Sequence, residues 1–284
     1  MRLIVASPPK TGNIWLKNLL IRTYNLKQGD DQPLGTFEDF AAFIKGGRFD
    51  DDTVIHLHPE PTDAYFELAD SVGATTITIL RNPYDVFVSL YHYIQRFKDE
   101  LADTSNLLSV MIEKELEDEA TFNYLMGNRS IEDWGRVHFE QHGKAEGRLL
   151  PITASYRDYV RNYPDLLSAY HAKGRGGFGE HLLLAEAWLN CKRSIVVRYE
   201  DLLEHSADHL WQLCQQIAPV SLADCETAFQ LCTPEKLRSA DHRMERHVRT
   251  ATAGSGQREL SSRHLEIFRD RYRTQIEHLG YDVL

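Results

Sequence analysis

The first twenty-four residues leave little freedom. "RLIVAS" (2–7) is a short apolar run that reads as a buried strand. Two prolines, a lysine and a glycine follow, and from Gly12 to about Tyr24 the pattern is helical. Trp15, Leu19 and Arg22 share one helix face by i, i+4 and i+3 spacing. The same alternation recurs. "TVIHLH" (53–58) is a second strand, ended by "PEP". "TTITIL" (75–80) is rich in β-branched residues and runs straight into "RNPYDVFVSLYHYIQRF" (81–97), with Pro83 suited to a first helical turn. "HLLLAEAWLN" (181–190) reads as a helix, "SIVVRY" (194–199) as a strand, "EDLLEHSADHLWQLCQQI" (200–217) as one helix, and "SSRHLEIFRDRYRTQIEHLGY" (261–281) as the last. Residues 28–36 are polar and read as loop.

Such alternation predicts an α/β fold of three layers, a central mainly parallel sheet flanked by helices, of the P-loop nucleotide-binding-like kind. Residues 1–284 form a single domain, with a variable helical region at about 98–180. Within that region "NLLSVMIEKELEDEATFNYLM" (106–126) reads as an acidic helix and "EQHGKAEGR" (140–148) as loop. "SYRDYVRNYPDLLSAY" (155–170) is helical with a break at Pro164, and "KGRGGFGE" (173–180) is loop. In such sheets ligands bind at the carboxyl ends of the strands. Four features fall there: the opening loop, "HLHPEP", "RNP" and "RYED".

The net charge of −10 argues against nucleic acid as a partner but leaves room for a small anion held by local cations. No run approaches the roughly 18 apolar residues of a membrane span. The opening apolar run is too short for a signal peptide, and four scattered cysteines without a CxxC pair suit a reducing compartment. The expected location is therefore the cytoplasm.

The opening loop suits an anion. A helix N-terminus offers unpaired N–H groups and the positive end of a dipole. Lys10 adds a full charge, Thr11 and Asn13 add side-chain donors, and Gly12 admits close approach. The G-x-x-x-x-G-K-[ST] order of the usual nucleotide loop is missing, so kinase or ATPase chemistry of that kind is disfavoured. Arg81 ends a strand and brings a forked, permanently charged donor. Ser89 lies two helical turns on. The two segments together suggest a ligand with two separated phosphates. His56 and His58, at i and i+2, face one side of a strand and offer a base near neutral pH. With Glu60 they also leave open a metal-dependent hydrolase, although the other histidines show no metal spacing and no metal ligand is assigned. A nucleotide-binding protein without catalysis is the other alternative.

"PKTGNIWL" resembles the 5′-phosphosulfate loop of the cytosolic-type sulfotransferases, usually PKSGTTWL. "RNPYDVFVSLYHY" resembles their 3′-phosphate motif, RNPKDVAVSYYHF. "RYEDLL" matches their YEDL segment, "HVRTATAGSG" (247–256) resembles the late R-K-G-x-x-G-D-W loop, and "HLGY" (278–281) ends the chain as relatives end. The resemblance implies a donor, 3′-phosphoadenosine 5′-phosphosulfate (PAPS), and a product, adenosine 3′,5′-bisphosphate (PAP). It implies that Lys10, Thr11, Gly12, Asn13 and Ile14 hold the 5′-phosphosulfate and that Trp15 lies against adenine. Arg81 and Ser89 would take the 3′-phosphate, Tyr199 and Thr233 would contact the base, and Arg249 with the backbone near Gly254 would close over the 3′-phosphate. On the family's K-T-H pattern His58 is the general base and His56 stands at the lysine position, while Lys10 stabilises the leaving phosphate. Three residues depart from the pattern. Ile14 replaces a hydroxyl residue, Ala251 replaces the first glycine of the late loop, and Gly256 replaces its tryptophan. The implied acceptor is a small molecule with a hydroxyl or an amine, met on the side of residues 98–180. Relatives form dimers through C-terminal contacts, so a homodimer is left open.

Overall fold

β1 (Arg2–Ala6) alternates strictly between two cores. Leu3 and Val5 enter one apolar cluster, with Leu16, Leu19 and Leu20 of helix α1 (Asn13–Tyr24). Ile4 and Ala6 enter a second, with Phe40, Phe43, Tyr65 and Trp188. A strand buried on both faces belongs inside a sheet covered on both sides, and that is its place. The computed structural model describes residues 1–29, 37–97, 131–151, 155–169, 178–204, 206–240 and 253–284.

The sheet has five strands in the order β2-β3-β1-β4-β5, with β2 at Lys27–Gln28, β3 at Thr53–Leu57, β4 at Ala74–Leu80 and β5 at Ile195–Arg198. Every pairing is parallel. β1 lies between β3 and β4, pairing Ala6 with Leu57 and Val5 with Ile77, while β4 pairs Leu80 with Arg198. The carboxyl ends of four strands therefore stand side by side, and the loops carrying Lys10, His58, Arg81 and Tyr199 all leave from that edge. Helices cover both faces, which makes the three-layer α/β fold expected from the alternation.

Some elements differ from the sequence reading. β2 is a two-residue edge strand, Lys27–Gln28, whose second residue opens the stretch read as loop. Helices α2 (Phe37–Lys45) and α3 (Asp63–Ser71) lie in segments given no helix. Their signals are short, but Thr62 caps α3 by accepting from Tyr65 N at 3.2 Å. The single helix expected at 200–217 is two, Tyr199–Glu204 and Ser206–Gln215, with Ser206 in the left-handed region at φ 43°. The acidic segment 106–126 lies outside the described residues.

The chain divides into two units, Met1–Tyr93 with Leu184–Leu284, and Ile94–Leu183. The second unit has its own small core of Phe139, Tyr159, Val160 and Leu166. The helix Ile131–His138 continues as a π-helix, Phe139–Gly143, into part of the stretch read as loop. The break at Pro164 holds, separating helices Tyr156–Asn162 and Pro164–Ala169. Glu132 anchors the first of these, its carboxylate accepting from Tyr156 N at 3.0 Å and Arg157 N at 2.7 Å. Those N–H groups belong to a helix's first turn and have no partner within the helix. All four cysteines are free thiols.

Glu132→Ala is expected to lower stability by about 1–2 kcal/mol, because it strips charge-assisted bonds from a helix start. Urea unfolding followed by circular dichroism measures this, and an unchanged midpoint would contradict it.

Candidate functional site

The loop after β1 is pegged from within. The Thr11 hydroxyl donates to Pro8 O at 2.8 Å, and Asn13 Nδ2 donates to the same carbonyl at 2.9 Å. The Ser7 hydroxyl donates to Asn13 Oδ1. Ser7, Thr11 and Asn13 are all buried. The side chains of Thr11 and Asn13, expected to face the ligand, thus serve the loop itself. Lys10, at φ 66°, and Gly12, at φ 114°, flank Thr11. Reversals of this sort turn successive N–H groups towards one concavity. For Lys10, which carries a Cβ, the left-handed conformation costs about 1–2 kcal/mol. Gly12 is the N-cap of α1 and brings no side-chain cap, and the first turn holds no acidic residue. The positive end of this helix therefore has neither a side-chain cap nor an acidic residue in its first turn to offset it. Ile14 is half-buried there, and its backbone N–H survives the loss of the family's hydroxyl.

Gly12 is fixed by space as well as by backbone. A Cβ there would stand 2.6 Å from Tyr199 Cδ2 and 3.1 Å from Ile79 Cδ1. The Tyr199 ring is buried. It meets Trp15 edge-on at 5.3 Å, and the Arg81 guanidinium lies 4.2 Å over it. Burial raises the Tyr199 pKa, against which Arg81 acts to lower it. The lysine loop and Arg81 are therefore joined through one ring. Trp15 donates from Nε1 to Cys232 O at 3.1 Å and meets Phe229 edge-on at 5.7 Å. The neighbouring Thr233 is reached through this contact, its hydroxyl oxygen accepting from Lys236 N at 3.3 Å.

Arg81 precedes α4 (Pro83–Phe97), which begins at Pro83 as expected. Asn82 N donates to Glu200 Oε1 at 2.7 Å, and the Tyr281 hydroxyl donates to Glu200 Oε2 at 3.1 Å. The YED segment and the HLGY end thus both hold the RNP corner. Ser89 is half-buried two turns along the helix. At the next four-residue step Tyr93 presents its ring to Lys10, whose Nζ lies 4.3 Å from the centroid. Gly254 N donates to Asp85 Oδ2 at 2.8 Å. Gly256 is required by close approach, since a Cβ there would run into Tyr84. That contact accounts for the missing tryptophan of the late loop. Arg249 and Ala251 lie outside the described residues.

His56 and His58 come together as their spacing implied, with ring centroids 5.9 Å apart. Only His58 stands past the strand end. Its Nδ1 lies 2.6 Å from Ser7 O. A carbonyl only accepts, so Nδ1 carries the proton and the lone pair of the neutral ring is on Nε2. Protein crowds the imidazole although the residue reaches solvent. Desolvation lowers its pKa, the Ser7 bond opposes that, and the Lys10 charge lowers it further. Among the described residues no group of three or more His, Cys, Asp or Glu is placed to hold a metal ion. Among them, too, no helix is long and apolar enough to cross a membrane.

Sequence reasoning gave no role to Ser7, Asp85, Glu200 or Phe229. Of these, Asp85 carried a usable signal, an opposite charge four residues after Arg81, and Glu200 stood within the YEDL segment.

A five-stranded parallel sheet covered by helices, with a lysine loop, a strand-terminal arginine and a histidine along one edge, makes this a three-layer α/β fold of the nucleotide-binding-like kind. The sulfotransferase domain family matches residues 1–280, and the chain belongs to it. In structure it is similar to mouse sulfotransferase SULT7A1 solved with PAP, with a TM-score of 0.61 and 16% identity over 99% of this chain and 89% of that one. It is also similar to retinol dehydratase solved with androsterone and the inactive cofactor PAP, with a TM-score of 0.51 and 12% identity over 100% of this chain and 82% of that one. At these identities the likeness is one of fold. No curated protein matches the chain by sequence.

Gly12→Ala is expected to destabilise the fold by about 2 kcal/mol or more, since it adds both backbone strain and overlap with Tyr199. A thermal melt tests this, and a variant as stable as the parent would refute the close approach.

Proposed function

We propose that the chain transfers a sulfonate group from PAPS to a hydroxyl, or an amine, of a small-molecule acceptor, releasing PAP. The observation that carries this reading is the His58–Ser7 bond. It sets the unprotonated Nε2 of a general base on the same strand edge as the lysine loop. The acceptor oxygen loses its proton to His58 Nε2 as it attacks sulfur, and the bond from sulfur to the bridging phosphate oxygen breaks. Lys10 leaves its contact with Tyr93, of a kind worth about 0.5–1 kcal/mol at exposed sites, to meet the charge that builds on that oxygen.

The backbone N–H groups of Thr11, Gly12, Asn13 and Ile14 hold the 5′-phosphosulfate. Trp15 lies against adenine, with Tyr199 and Thr233 at the rim of the base site. Arg81 and Ser89 take the 3′-phosphate, with Arg249 and the turn at Gly254 closing over it. His56 supports His58 from the strand. Residues 1–284 act as one sulfotransferase domain. The complexes of similar folds with PAP support the choice of donor.

His58→Ala is expected to reduce turnover by about 10²–10⁴ while PAP binding survives, and Lys10→Ala to weaken both. Transfer from labelled PAPS to a panel of alcohols and amines, alongside calorimetric titration with PAP, separates these effects. Retained turnover in His58→Ala would remove the histidine from its role.

The pH dependence follows from the same residue. A base with a lowered pKa stays deprotonated to lower pH than an ordinary imidazole. The rate should fall with acid only below about pH 6.5, the usual histidine value. An acid limb of kcat/KM centred above that value would contradict the assignment.

A further inference from the structure

We infer that Asp85 is a positioning residue that sets the guanidinium of Arg81 and the backbone turn at Gly254–Gly256 around one carboxylate, and so fixes the preference for a 3′-phosphorylated nucleotide. The inference rests on the donor site proposed above and extends it to a residue that touches no part of the ligand.

Asp85 is buried. Its Oδ2 accepts from Gly254 N at 2.8 Å, and its Oδ1 accepts from Gly256 N at 2.7 Å and the Ser255 hydroxyl at 3.1 Å. Arg81 Nη2 stands 3.9 Å from the same Oδ2. A buried carboxylate is costly unless it is bonded and paired, and here three donors and one cation converge on it. Two segments separated by some 170 positions in sequence therefore meet on two oxygens.

At 3.9 Å the ion pair is longer than a hydrogen bond, so Asp85 acts on the guanidinium through charge and orientation. The Tyr199 ring lies beneath the same group. The guanidinium is thus held between a ring and a carboxylate in a fixed plane, and preorganised donors of this kind lose less entropy on binding. The turn at 254–256 has no such ring, and its placement rests on the Asp85 bonds and the close fit of Gly256 on Tyr84. Asparagine at 85 would keep the size but lose the charge. It would also turn a donor towards N–H groups that need acceptors.

The test compares PAP with adenosine 5′-monophosphate, which lacks the 3′-phosphate, in the full-length parent, Asp85→Asn and Ser255→Ala. In Asp85→Asn the affinity for PAP should fall by about tenfold to a hundredfold, the range for lost bonds to a charged group, with that for the monophosphate nearly unchanged. With PAPS as donor, KM should rise while kcat at saturation is kept. Ser255→Ala, which removes one of the three bonds, should show the same loss of preference to a smaller degree. It carries the test if Asp85→Asn does not fold. An unchanged preference in a folded Asp85→Asn, or in Ser255→Ala when it alone folds, would overturn the inference. An equal loss for both nucleotides would do so too, as the mark of a structural role alone. A parent that does not distinguish PAP from the monophosphate would instead overturn the donor site itself.

Discussion

The site depends on one aromatic ring. Tyr199 fills the space between the lysine loop, Trp15 and Arg81, and each contact constrains a different backbone. It leaves no room for a Cβ at Gly12, it offers an edge to Trp15, and its face lies under the guanidinium. The ring is placed by being the first residue after β5, next to β4, whose end carries Arg81. The parallel register thus does the positioning. Strands that end close to one another, β1 level with β3 and β4 level with β5, deliver the loop, the arginine and the ring to one edge, and the ring then links them. The next residue, Glu200, secures the same corner by accepting from Asn82 N.

The interior of the lysine loop explains how the chain tolerates Ile14. Were phosphate held by side-chain hydroxyls, losing one would weaken the site directly. Here the buried polar side chains of Ser7, Thr11 and Asn13 bond to one another and to Pro8 O, and they keep the loop in a strained shape. On the proposed reading the donors that meet the ligand are backbone N–H groups, which any residue but proline supplies. Substitution at 14 changes what lines the mouth without changing the number of main-chain donors. Asn13 cannot be varied so freely, since both ends of its amide are used.

The sheet was legible because strands buried on both faces read as continuous apolar runs, and all four longer strands fall within a residue or two of their expected limits. Short helices were less so. α2 buries Phe40, Phe43 and Ile44 at helical spacing, but nine residues give too few turns to separate a helix from a pocket-lining segment. The break between Glu204 and Ser206 is a backbone feature, and nothing in "LLEHSAD" breaks the helical pattern. At the site, the residues that bear charge were readable from their places at strand ends. The residues that hold those charges were not. Glu200 serves Asn82 across 118 positions and Asp85 serves Gly254 across 169, and a single sequence holds no record of such pairings.

Ser7 ties His58 to the lysine loop. Its carbonyl accepts a hydrogen bond from His58 Nδ1, its N donates to Leu57 O at 3.3 Å, and its hydroxyl donates to Asn13 Oδ1. The imidazole is thus referred to the same backbone that shapes the anion site. A shift of the loop would carry the imidazole with it, and on the proposed mechanism that keeps His58 in step with the loop that bears Lys10. In-line transfer of the proposed kind depends on such registration, because a misplacement of about 1 Å in a reacting geometry can cost about a hundredfold in rate. His56, two residues earlier, stands within β3 opposite Val5 of β1, whereas His58 lies past the strand end and reaches Ser7 O. On the proposed reading, that position just past the strand end is what suits residue 58 to act as the base.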